Sequence, residues 1–361
     1  MERRSFLHAC ASGMALTTLP LGRRGAGDLP AGGADPQALI MDAMGELRTV
    51  YEPPLVRQML ASGMDSITIT LCDPKPVGAE ALELAIDSLL EYDRYLAAHP
   101  DLFVKAVGVR DVDRARREGK LAVFYLFQNS VQFGEDLDRV ALFYRLGTRS
   151  SQVTYNDRNR AGVGCRAEEA GGLTEFGREL IERMNDVGML VDLSHANSAT
   201  MMDTIAHSRA PVIISHTACN DLYPHVRNTS DAVLRALADR GGLVGICQLR
   251  PFLTDKKSDN LHTFFDHIDH AVNVAGVAHV CIGSDRDHRV IEMTPEYIAE
   301  LRQEEGSQVV NSELPYFIDE LNGPGRMTVV WDGLADRGYG SSDIERIMGT
   351  NLYRLYGDVL G

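Results

Sequence analysis

Paired cysteines are missing from this chain. Its six cysteines stand singly at 10, 72, 165, 219, 247 and 281, with no Cys-x-x-Cys, so neither a zinc knuckle nor a thioredoxin-type dithiol is indicated. Several lie in apolar runs such as Ile246-Cys247 and Val280-Cys281, where a buried, inert thiol is expected. Positive charge is scarce as well. The 36 Lys+Arg face 51 Asp+Glu, giving a formal net charge of −15, and the body of the chain has no Lys/Arg cluster. That balance argues against nucleic acid or an anionic membrane surface as partner. Beyond the amino terminus no stretch reaches the ~18 uninterrupted apolar residues of a membrane span, so none is expected in the mature chain.

What is present is ordinary globular composition: 361 residues, 44% hydrophobic and 24% charged, enough for a large core. The amino terminus carries Arg3-Arg4-Ser5-Phe6-Leu7, then a weakly apolar run over 9–21 and Gly- and Ala-rich sequence to about Ala34. This resembles a twin-arginine export signal, an address that is normally removed; the plainer reading is a basic tail. The expected organisation is a signal and linker over 1–34 and one domain over 35–361, exported to the periplasm or beyond.

Eight short apolar runs then read as strands, over 38–43, 65–71, 121–128, 150–156, 188–195, 211–217, 242–249 and 279–285. Amphipathic segments separate them, with Leu82, Ile86, Leu89 and Leu90 in one connection and Leu173, Phe176, Leu180, Ile181, Met184 and Val187 in another, both at helical spacing. Strands that are apolar throughout, alternating with helices, predict a parallel sheet buried on both faces. A closed (β/α)₈ TIM barrel fits that pattern best. Residues 286–326 exceed a plain turn and are expected to form a lid or interaction surface at the barrel mouth. Ser342 and Glu345 stand at capping-box spacing, predicting a last helix from there to about Tyr356.

In such a barrel the chemistry lies at the carboxyl ends of the strands. There the runs Gly188-Met-Leu-Val-Asp-Leu-Ser-His195 and Pro211-Val-Ile-Ile-Ser-His216 each end in Ser-His. A lone Ser-His at a strand end is more often a structural histidine, but two at matching positions point to a pair of metal ligands. A Ser-His nucleophilic dyad is disfavoured within either run, because neighbouring strand residues point to opposite faces. Asp285 ends the eighth run, where it suits either a catalytic carboxylate or a loop cap. Arg227 follows His216 closely and on its own reads equally as a loop charge.

The segments Gly172-Leu-Thr-Glu-Phe-Gly-Arg178, Met184 to His195, Ala210 to His216, His225-Val-Arg227-Asn228, Arg240-Gly-Gly-Leu-Val-Gly245, Ile282-Gly-Ser-Asp285 and Gly349-Thr-Asn351-Leu-Tyr-Arg354 resemble, in order, those of the membrane (renal) dipeptidase family of zinc metallopeptidases. The resemblance implies an amidohydrolase-type barrel with a two-zinc centre that hydrolyses dipeptides, in chains that often pair as homodimers. It implies that His195 and His216 are ligands of one zinc, that Arg227 holds the substrate carboxylate, and that Asp285 handles the proton of the attacking water. Four other family positions are altered. The His-x-Asp pair of the first strand reads Met44 and Glu46, the metal-bridging Glu reads Gln128, and the substrate-polarising His reads Tyr155. A thioether is a poor zinc ligand beside imidazole, and a neutral amide supplies no bridging charge for two dications. The expectation is therefore one zinc per chain, on His195 and His216 and completed by Glu46, Gln128, Asp285 or Tyr155. The protein would act on a dipeptide or a small amide or amino-acid-like substrate. The alternative is a non-peptidase periplasmic protein of the same fold, either a binding or maturation factor or a one-metal enzyme with different chemistry.

Overall fold

The described residues form nine strands, all pairing in parallel, eight of them from the apolar runs: β1 (Met41–Gly45), β2 (Ser66–Thr70), β3 (Phe103–Lys105), β4 (Leu121–Phe127), β5 (Thr148–Gln152), β6 (Leu190–Asp192), β7 (Ile213–Thr217), β8 (Leu243–Ile246) and β9 (Val280–Ile282). The computed structural model describes residues 38–258, 260–305, 310 and 314–361, so the Arg3-Arg4 segment lies outside the described residues. The order is β1-β2-β4-β5-β6-β7-β8-β9, with β3 added beside β4. This is a nearly closed (β/α)₈ barrel. The three-residue β3 is too short to show a period in sequence, and it is the strand that the sequence pattern does not predict.

Both faces of the sheet are buried, which is why the strands read as continuous apolar runs. In β4, Leu121, Val123, Tyr125 and Phe127 pack outward against the helices, while Ala122 and Phe124 face a second, inner cluster with Leu190, Ile213, Leu243 and Cys281. The carboxyl-terminal helix Asn351–Leu360 joins that inner cluster through Leu352, Leu355 and Tyr356. The Tyr356 ring meets Phe124 edge-on at 4.8 Å, and its hydroxyl shares a hydrogen bond with Thr68 Oγ1. Among the described residues no helix is long and apolar enough to cross a membrane.

Two helical expectations are corrected. The helix Gly78–Ala98 buries Ala81, Ala85, Ser88, Leu89, Tyr92 and Leu96, leaving Ile86 and Leu90 exposed. Ala, Ser and Tyr supply its inner face, so counting only large aliphatics rotates the helix wrongly. The expected capping box also does not form. The helix Ser341–Glu345 starts after Gly340 without a side-chain cap, and a π-helical turn, Arg346–Thr350, separates it from the last helix. The other helical pattern holds: Glu175–Val187 begins at Thr174, whose side chain accepts from Gly177 N, and it buries Leu180, Ile181 and Met184.

The segment after β9 packs beside the carboxyl ends of the strands. Phe317 forms a backbone bridge with Leu249, and the Arg286 guanidinium stacks on the Phe317 ring at 3.5 Å. The barrel closes between β1 and β9 without a regular ladder. Asp285 N donates to Met44 O at 2.9 Å and Glu46 N to Arg286 O at 3.0 Å. The buried Asp42 carboxylate completes the seam. Its Oδ1 accepts from Ser284 N at 2.9 Å and Met44 N at 3.3 Å, and its Oδ2 accepts from Ser284 Oγ at 2.5 Å.

Burial pushes the Asp42 carboxyl up to about 6 against the opposing pull of Arg326 and the Ser284 bonds. Because this lies above the unfolded-chain value, its stabilising contribution is fully present below that value and is lost as pH rises through about 6. Urea unfolding from pH 4 to 7 should therefore contain a loss on the order of 2–3 kcal/mol from this group. In Asp42→Asn, whose amide can make the same three contacts, that part of the slope should vanish; an unchanged slope would assign it elsewhere.

Candidate metal centre

β6 stops at Asp192 because its own carboxylate turns the chain: Asp192 Oδ1 accepts from Ser194 N at 3.0 Å. The next residue, His195, then adopts φ 67°. Left-handed backbone disfavours a side chain with a Cβ, and such strain gathers at functional sites. The only other non-glycine residue with positive φ among the described residues is Asp285, at φ 54°. Both strained positions are candidates predicted from the sequence, and both follow a serine at a strand end. His195 therefore belongs to the turn beyond the strand instead of to the strand itself.

Outer partners orient both imidazoles. His195 Nδ1 lies 2.7 Å from Asn156 Oδ1, which can only accept, so this nitrogen carries the proton. Asn156 is itself held where Gly164 allows: a Cβ at 164 would lie 2.2 Å from Tyr155 O and 2.4 Å from Asn156 O. His216 Nδ1 lies 2.9 Å from Ser215 Oγ, which donates to Asp192 Oδ2 at 2.5 Å. The two Nε2 atoms face each other at 3.0 Å. Two nitrogens bound to one tetrahedral zinc at about 2.0–2.1 Å would stand about 3.3 Å apart, and an N–H···N hydrogen bond between the two rings has a similar length.

The Ser215–His216 contact corrects the expectation that neighbouring residues cannot meet there. The β7–β8 register shifts between Ile214 and Thr217, so the strict two-sided alternation fails locally. Ser215 is still no nucleophile, because its proton is directed to Asp192 and the imidazole donates to it.

Burial, and after it the Arg227 charge, holds both histidines well below the usual imidazole range, with smaller contributions to His195 from His216 and Arg166. Both rings are therefore neutral, as metal ligation requires. Tyr155 stacks on His195 with ring centroids 4.2 Å apart. Arg227 is 3% exposed, its guanidinium lies 5.5 Å from the Phe252 ring, and its Nη1 has no hydrogen-bond partner among the described residues. Asp285 is half-buried at the end of β9. Its charge contributes to pushing the buried Cys247 thiol up to about 12, after burial itself.

The positions where the resemblance implies a second zinc are engaged with one another and with neighbouring charges. Gln128 Nε2 donates weakly to Met44 Sδ at 3.8 Å, and both side chains are buried. Glu46 grips the Arg48 guanidinium at 2.5 and 2.8 Å, and Arg48 Nε reaches Asp287 Oδ2 at 3.1 Å. Asp287 in turn receives Tyr51 Oη at 2.5 Å and pairs with Arg289. Glu46 is thus engaged by a cation of the chain itself, and Gln128 is engaged by Met44. Among the described residues no third His, Cys, Asp or Glu joins the histidine pair in a group that could hold a metal. The described residues therefore offer two imidazoles and no third ligand, fewer protein ligands than a zinc site ordinarily has.

Sequence reading places Asn156 among the polar strand ends at the mouth but misses Asp192 and Ser215 as members of the site. One signal was available: an aspartate inside the apolar run Leu190-Val-Asp-Leu193 has to be buried with partners.

Comparison with known proteins agrees with this architecture. The family described as Membrane dipeptidase (Peptidase family M19) matches residues 53–303. Dipeptidase tcpJ of Claviceps purpurea is 30% identical over 271 residues, covering 74% of this chain but 57% of its own length, so the chain spans little more than half of that relative. Among solved structures, an amidohydrolase from Pseudomonas aeruginosa superposes with a TM-score of 0.80 at 26% identity, over 90% of this chain and 98% of that one. The probable dipeptidase PvdM from the same organism gives 0.75 at 19% identity over 90% and 96%, a likeness of fold. The match over most of the domain settles the family: this chain belongs to the membrane dipeptidases, peptidase family M19.

Proposed function

We propose that the protein is a dipeptidase-like hydrolase with an altered centre, working with one zinc ion on His195 and His216 and acting on a dipeptide or a small amide of an amino acid. The observation that carries this is the pair of buried Nε2 atoms that face each other 3.0 Å apart. Zinc bound there supplies Lewis acidity and a lowered pKa for water. The rest falls to side chains of the chain. Arg227, desolvated and with Nη1 unpartnered, is suited to fix a substrate carboxylate through charge-assisted hydrogen bonds. Asp285 takes the proton from the attacking water and returns it to the amine as the C–N bond breaks. Tyr155, stacked on His195, forms a wall of the substrate site. The ion cluster of Glu46, Arg48 and Asp287 occupies the side where the family resemblance implies a second zinc. The Arg3-Arg4 motif supports export through a twin-arginine route.

Metal analysis of purified, zinc-supplemented protein should find about one zinc per chain. Two would contradict the altered centre, and none would favour a binding protein without catalysis. His216→Ala should abolish zinc binding together with turnover of a mixed L,L and L,D dipeptide library. Loss of turnover alone, with zinc retained, would remove His216 from the metal.

Arg227→Met should lower kcat/KM by about 100-fold, mostly through KM, as expected for a lost carboxylate anchor. A change confined to kcat would argue that Arg227 acts on the reacting bond instead.

A further inference from the structure

We infer that Arg286, His288 and Arg326 form a buried site for a small inorganic anion of chloride size, beside the turn that carries Asp285. The site involves no metal ligand and no reacting group.

Two buried charges carry the argument. Arg286 is 2% exposed and Arg326 1%, and neither forms an ion pair among the described residues. Their hydrogen bonds go to neutral oxygens: Arg326 Nη1 to Asp287 O at 2.9 Å and Gly323 O at 3.2 Å, Arg326 Nη2 to Arg286 O at 2.9 Å, and Arg286 Nη2 to Asn322 Oδ1 at 2.9 Å. A carbonyl satisfies a donor but does not cancel a net charge, and a buried charge without a counter-charge is costly.

The nearby carboxylates are already engaged. Those acting on the pair from farther away are Asp42, Glu46 and Asp287. Glu46 is held by Arg48, and Asp287 by Arg48, Arg289 and Tyr51. Asp42 is turned to Ser284 and to Met44 N. The corner thus sets four guanidiniums, those of Arg48, Arg286, Arg289 and Arg326, against three carboxylates, which leaves one positive charge even with Asp42 ionised. Burial and, after it, the charge of Arg326 bring the Arg286 guanidinium down to about 10, the direction expected of a cation whose strongest charged neighbour is another cation.

His288 points the same way. It follows the two residues whose carbonyls Arg326 grips, and its ring is completely buried. Neither Nδ1 nor Nε2 has a hydrogen-bond partner among the described residues, and the same holds for Arg326 Nε. Burial, then the charges of Arg326 and Arg286, hold this imidazole well below its usual range, so it is neutral with one N–H to give. Buried donors are nearly always used. Here an imidazole N–H, the Nε–H of Arg326 and an excess positive charge share one corner, and a single anion meets all three. No member of the set is open to solvent, which favours a halide over a substrate carboxylate.

A plainer reading makes Arg326 a strut that pins the backbone after β9. That explains Nη1 and Nη2. It does not explain Nε, the imidazole, or a second buried guanidinium at Arg286.

Thermal unfolding at constant ionic strength, with sodium gluconate exchanged stepwise for sodium chloride, tests the site. Chloride should raise Tm saturably, by about 2–4 °C. Arg286→Met removes the excess charge while keeping an apolar stem against Phe317, and His288→Phe removes the imidazole donor; each should abolish the chloride dependence. Crystals soaked in sodium bromide should show an anomalous peak within hydrogen-bond reach of His288 and Arg326 Nε. Equal Tm in the two salts, or a chloride effect that either variant retains undiminished, would overturn the site. Should both variants fail to fold, the bromide position decides: a peak in that corner upholds the proposal, and bromide at the surface only, or none, rejects it.

Discussion

Asp192 sits inside a parallel barrel beyond the reach of solvent, so each of its oxygens has to be met by a donor. Serine hydroxyls and amides at the ends of β6 and β7 meet that need, and doing so turns the chain after β6 and joins two strands whose ladder is short. Asp42 does the same between β1 and β9. Two buried carboxylates thus hold the barrel at its two weakest joints. The residues that follow those joints, His195, His216 and Asp285, are the ones to which the proposed function assigns the chemistry. The polar interior is costly if any member is unmet, which ties the barrel's closure to the arrangement of the site.

Charge accounts for the rebuilt half of the centre. The resemblance to family members with two dications implies that cations there are neutralised by acidic ligands. In this chain the bridging position is a neutral amide, Gln128, resting on a thioether, and the remaining carboxylate, Glu46, is neutralised by Arg48. Arg48 also reaches Asp287, so the corner between β1 and β9 satisfies its charges from within the chain. The histidine half keeps the opposite character: neutral rings, kept so by burial and by Arg227, whose Nε2 atoms face each other.

Much of this was legible in the sequence, for a physical reason. Strands buried on both faces must be apolar throughout, so eight barrel strands stood out, and the polar residues ending them had to face the mouth. What failed to read through was whatever depends on a single turn. His195 was counted into a strand, although Asp192 ends that strand three residues earlier. Ser215 and His216 were expected on opposite faces, and a local register shift brings them together. The helix Gly78–Ala98 was rotated onto its leucines because small residues make its true inner face. Long-range partners such as Asn156 for His195 leave no mark in spacing, since only the closed barrel brings them within reach.

X-ray absorption at the zinc edge of the loaded protein tests the central claim most directly. One zinc held by two histidines predicts a first shell with two imidazole nitrogens at about 2.0–2.1 Å and no metal–metal scattering. A zinc–zinc vector at about 3.5–4 Å would contradict the account, because it would require a second site that Met44, Glu46 and Gln128 do not provide.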